Sequence, residues 1–64
     1  MTEYLMPAAR CQDTGQLLQR QDLRGRRYTQ KHRAEAQAQA QQLAESLSQR
    51  RRQTWTPELI TYTV

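Results

Sequence analysis

Apolar and polar positions change their spacing several times along the chain, and each change marks an expected element. At the start a short apolar patch, Tyr4-Leu5-Met6, is interrupted by Pro7 and followed by Ala8-Ala9, which reads as an extended arm over residues 1–12. Asp13 then stands three residues before Gln16, the spacing at which each side chain satisfies a backbone donor at a helix start. A short helix over about 14–24 is expected, with Leu17 and Leu18 on its apolar side and Gly25 as the left-handed residue that stops it.

The segment over about 29–53 is almost wholly Ala, Gln, Glu, Leu, Lys and Arg, the residues that cost least in a helix, and it holds neither Gly nor Pro. Ala36, Ala40, Leu43 and Leu47 are spaced four, three and four, so they share one narrow stripe. The stripe predicts a coiled-coil-like seam of about two heptads that binds another helix or protein. Pro57 ends helical structure, and Ile60, Tyr62 and Val64 alternate with threonines as on one face of a strand. The expected fold is therefore a small all-α domain spanning residues 1–64. It has two helices, an N-terminal arm and a β-prone tail over 54–64.

Composition changes the picture of stability. Leu, Ile, Val and Phe together number nine in 64 residues, and Phe is absent. A chain of this length buries only about 60% of the surface that it exposes when unfolded. Fixing the backbone costs roughly 1 to 2 kcal/mol per residue. Order is accordingly expected to come with a partner or in an oligomer.

Candidate chemistry is sparse. Cys11 and His32, each the sole residue of its type, can form neither an internal disulfide nor a zinc site, so no metal and no cofactor are expected. They lie on different expected segments, whereas a nucleophile needs its base within hydrogen-bond reach, and no phosphate-cradling glycine loop is present. A non-enzymatic protein is expected. The N-terminus has no basic region followed by an apolar run, and no apolar stretch approaches the length of a membrane span, so an intracellular location is expected.

Charge is the most informative feature. The net charge is +4. Between positions 20 and 33 stand Arg20, Arg24, Arg26, Arg27, Lys31 and Arg33 against Asp22 alone, with Tyr28 and His32 interleaved. Guanidinium groups pair with phosphates bidentately and aromatic rings stack on unpaired bases, so these eight residues form a candidate nucleic-acid contact. An ordinary solvated face is an equal reading. Positive charge at the start of the long helix opposes its dipole, however, which points to use by a partner. Arg50, Arg51 and Arg52 lie where cations favour a helix end, and they read first as a cap. As phosphate contacts they would stand about 26 Å from Arg33 along a straight helix.

The tail gathers Trp55, Leu59, Ile60, Tyr62 and Val64, residues that fill pockets in protein interfaces or fold back as core, with equal weight on each outcome. The leading expectation is a helical accessory protein that contacts RNA or DNA, as part of a larger nucleoprotein or transcription complex. A second is an adaptor or inhibitor that docks its helix seam and tail on a larger protein. A third is a structural subunit of a large assembly.

Overall fold

The computed structural model describes residues 1–20 and 27–64. Its elements run β1 (Glu3–Cys11), β2 (Leu17–Gln19), a single 3-10 turn (Gln30–His32), α1 (Arg33–Arg51) and β3 (Trp55–Thr63). The strands form an antiparallel sheet in the order β2-β1-β3, with α1 packed across one side. The all-α expectation is thus overturned. The arm is the central strand, and the short helix expected over 14–24 is replaced, in its described part, by a turn and an edge strand. Gly25, its expected stop, lies outside the described residues.

Local chemistry explains both misreadings. Asp13-Thr14-Gly15 suits a helix start and a hairpin turn alike, and here it serves the turn. Gly15 adopts φ 77°, a left-handed conformation that costs glycine nothing. Its amide donates to the Cys11 carbonyl at 2.9 Å, and the Cys11 amide donates to Gln16 at 2.8 Å. Leu17 and Leu18 then pair with Arg10 and Ala9.

Pro7 stands in the central strand although proline lacks a ladder donor. The register shows how little is lost. Thr2 and Val64 exchange both amide bonds at 3.0 Å, and the pairing continues from Glu3 with Thr63 to Cys11 with Trp55. Even-numbered residues of β1 and β3 therefore bond each other, and odd-numbered ones face outward from the pair. Pro7 faces β2, where its carbonyl still accepts from the Arg20 amide at 2.9 Å. Pro57 faces the outer edge of β3, where no donor is needed among the described residues.

The core lies between the sheet and α1. Ala36, Ala40 and Ala44, spaced at i, i+4 and i+8, are buried against the strands. Ala9, Cys11, Ala44 and Trp55 form one cluster, with Leu18, Leu43 and Leu47 packed against it. Leu5, Tyr28 and Ala36 form a second, joined by Leu59. The seam expected from Ala36, Ala40, Leu43 and Leu47 is thus engaged by this chain's own sheet. Arg52, at φ 51°, turns the backbone out of α1 and into β3.

Candidate nucleic-acid interface

Strand alternation puts Leu5, Pro7, Ala9, Cys11, Trp55 and Leu59 under the helix. The opposite face then carries Tyr4, Met6, Ala8 and Arg10 from β1, Thr56, Glu58, Ile60 and Tyr62 from β3, and Leu17 and Gln19 from β2. Among the described residues α1 packs on the other side, and on this face Ala8 is fully buried. Tyr4, Met6, Ile60 and Tyr62 are only half-buried there.

The face has two ends of different character. At one end Tyr4 and Tyr62, directly paired across the strands, hold their rings 5.7 Å apart between centroids at an interplanar angle of 32°. The Arg27 guanidinium lies 5.2 Å from the Tyr4 ring centroid. A cation over an aromatic face is held by the ring quadrupole while its outer side stays free for an anion. At the other end Arg10 Nε donates to Glu58 Oε2 at 2.8 Å and Nη2 to Oε1 at 3.3 Å, a forked pair. The hydrogen bond and charge of Arg10 hold the Glu58 carboxyl below the usual carboxylate range, and Glu58 raises Arg10 in return. Gln12 Nε2 donates to Thr56 Oγ1 at 2.8 Å beside them. That end is electrically satisfied, whereas at the tyrosine end Arg27 has no ion-pair partner among the described residues.

The expected nucleic-acid residues separate into several groups. Arg27 reaches the tyrosine pair. Arg20 follows β2 with its amide on Pro7. Lys31, His32 and Arg33 stand at the entry to α1, where His32 Nδ1 lies 3.7 Å from Glu35 Oε1 and Arg33 donates to Gln30. Arg24 and Arg26 lie outside the described residues. Tyr28 is 3% exposed and packs with Leu5 and Ala36 on the helix side, so its ring offers little surface to a base. Arg50, Arg51 and Arg52 sit at the far end of α1, where Arg51 lies 5.7 Å from the Trp55 ring centroid. Lys31 and Arg33 at the start of α1 and Arg50 to Arg52 at its end are thus separated by the length of that helix.

Of the residues expected to bind protein, Ala36, Ala40, Trp55 and Leu59 belong to the core or its margin. Leu43 and Leu47 are half-buried on it. Ile60 and Tyr62 point to the helix-free face, and Val64 is exposed. Tyr4 and Met6 were missed as site residues, since the stretch 1–12 reads locally as an arm. Their alternation with Leu5 and Pro7 was the available signal. Cys11 is fully buried, and the Thr14 hydroxyl hydrogen-bonded to its thiol holds it below the usual cysteine value while burial opposes. No cluster of three or more His, Cys, Asp or Glu residues suited to a metal occurs among the described residues, and no described helix is long and apolar enough to cross a membrane. Comparison with protein-family models, with curated proteins and with solved structures found no match.

Proposed function

We propose that the protein binds RNA or DNA through the helix-free face of its sheet, with unpaired bases stacking on Tyr4 and Tyr62 and phosphates meeting Arg27. The observation that carries this reading is the Arg27–Tyr4–Tyr62 cluster, a cation and two neighbouring aromatic rings at the half-buried end of an antiparallel sheet. Such a surface suits single strands, because every base has a stacking face and the backbone tracks positive charge. The net charge of +4 favours the same partner through counterion release. The reading makes the protein a binding module without catalysis. Docking of the α1 stripe on another protein has less support, since Ala36 and Ala40 are already covered by the sheet.

Fluorescence anisotropy with short labelled single-stranded and duplex oligonucleotides over a salt series tests the proposal. Single strands are expected to bind more tightly than duplex, with affinity falling as salt rises. Tyr62→Ala removes one stacking surface worth about 1–3 kcal/mol, roughly a five- to 150-fold loss. Arg27→Gln lowers the salt slope by roughly 0.7. Absence of binding at low salt, or equal affinity of the wild type and Tyr62→Ala, removes the proposal.

A further inference from the structure

The outer edge of β3 supports an inference independent of nucleic-acid binding. Odd-numbered residues of this strand turn their amides and carbonyls away from β1, as the Thr2–Val64 exchange and the continuous register require. At the helix end of the strand the Trp55 amide is satisfied, donating to Ser48 Oγ at 3.1 Å. Pro57 has no donor. Beyond it the amides of Leu59, Thr61 and Thr63 face outward with no partner among the described residues.

Exposed sheet edges are usually blunted by lysine, a bulge or a covering loop. Among the described residues Pro57 is the one such device, and it protects only its own end. The nine residues of β3 pair with β1 without a bulge. The strand's single charge, Glu58, is on the helix-free face and neutralised by Arg10. The strand itself carries no Lys or Arg, and the one cation beside its groove, Arg33, is matched there by the acidic Glu58.

Beside the edge an open groove of about 540 Å³ runs between the strand and the helix, lined mainly by Ala34, Gln37, Ala38 and Gln41 of α1 with Pro57 and Leu59, and bounded by Arg33 and Glu58, one charge of each sign. It lies where the helix-side residues of an added strand would come. The small and flexible side chains lining it leave room for Leu and Thr. A strand whose outward donors and acceptors alternate along one edge is self-complementary in antiparallel pairing about a twofold axis. A core built on alanine also leaves stability to be gained from a second copy. We infer that two copies of the chain pair antiparallel through their β3 edges, each placing Leu59 and Thr61 against the α1 groove of the other. The result is a continuous six-stranded sheet with both helices on one side and both tyrosine pairs on the other.

Sedimentation equilibrium of the full chain, with hydrogen exchange read residue by residue across a concentration series, tests this inference. The expected species has twice the 7.6 kDa chain mass. The amides of Leu59, Thr61 and Thr63 are expected to gain protection as the dimer forms, whereas those of Ile60 and Tyr62 are protected at every concentration by β1. Thr61→Lys places a charge on an exposed edge position and is expected to weaken the dimer at least about tenfold. Continued protection of Ile60 and Tyr62 in that variant shows that the fold is intact. Three results each overturn the inference: a chain that stays monomeric, edge amides that exchange equally fast in monomer and dimer, or unchanged dissociation of folded Thr61→Lys.

Discussion

The two faces of the sheet are built from adjacent residues of the same two strands, yet they follow opposite rules. Under the helix every large side chain has a counterpart of restricted size: Ala36 meets Leu5 and Leu59, and Ala44 meets Trp55 and Cys11. The alanines bring α1 close, so Leu5, Tyr28 and Trp55 reach almost full burial, with Leu18, Leu43, Leu47 and Leu59 partly buried around them. On the other face Tyr4, Met6, Ile60 and Tyr62 also carry large apolar surfaces, yet all four stay half-buried. A chain this poor in large aliphatics would gain by placing them all inside. Their position on the helix-free face points to use by a partner.

Truncation under the helix tests the contrast with the largest effect. Trp55→Ala removes the bulkiest member of the first cluster and is expected to cost about 3–5 kcal/mol, comparable with the whole stability of so small a domain. The helical circular dichroism signal of the isolated variant should collapse at ambient temperature. Retention of a cooperative urea transition would show that the covered face is not where stability resides.

A smaller effect comes from enlarging the tight side of the same layer. Ala36→Leu forces the helix away from Leu5, Tyr28 and Leu59, with an expected cost of about 1–3 kcal/mol in urea denaturation. The reverse experiment on the other face is milder still. Met6→Ala is expected to lower stability by about 1 kcal/mol or less, because the side chain is only half-buried. Equal losses from Ala36→Leu and Met6→Ala would erase the distinction between the faces.

The smallest expected effect concerns pH. Glu58 is held below its ordinary value in the folded chain, so its contribution is complete above the unfolded carboxylate pKa. That contribution is lost as pH falls through the lowered folded value. Glu58→Gln should therefore flatten part of the acid limb of the stability curve while leaving stability near neutrality little changed, since the pair with Arg10 is exposed to solvent. A large loss at neutral pH would mean that the polar end of the helix-free face is structural in the way the helix side is.

Much of α1 and the extended nature of the tail were legible in the chain, because both are local properties. A run of helix formers without Gly or Pro makes a helix whatever it packs on, and Ile60-Thr61-Tyr62 favours a strand wherever it lies. The basic segment was equally visible, since charge needs no partner to be counted. Which side of each strand mattered was not, because it depends on the pairing of Tyr4 with Tyr62, 58 positions apart.

By itself, then, the sequence determined the long alanine-rich helix, the extended tail, the thin core and the basic stretch at positions 20–33. Only the tertiary structure decided that Met1 to Gln12 supplies a central strand. It likewise decided that Asp13-Thr14-Gly15 turns a hairpin, that Tyr28 enters the core, and that the α1 stripe faces this chain's own sheet. The physical reason is that a strand acquires its hydrogen bonds from residues distant in the chain. Those bonds outweigh local preferences as weak as a possible N-cap at Asp13 or the lost donor of Pro7.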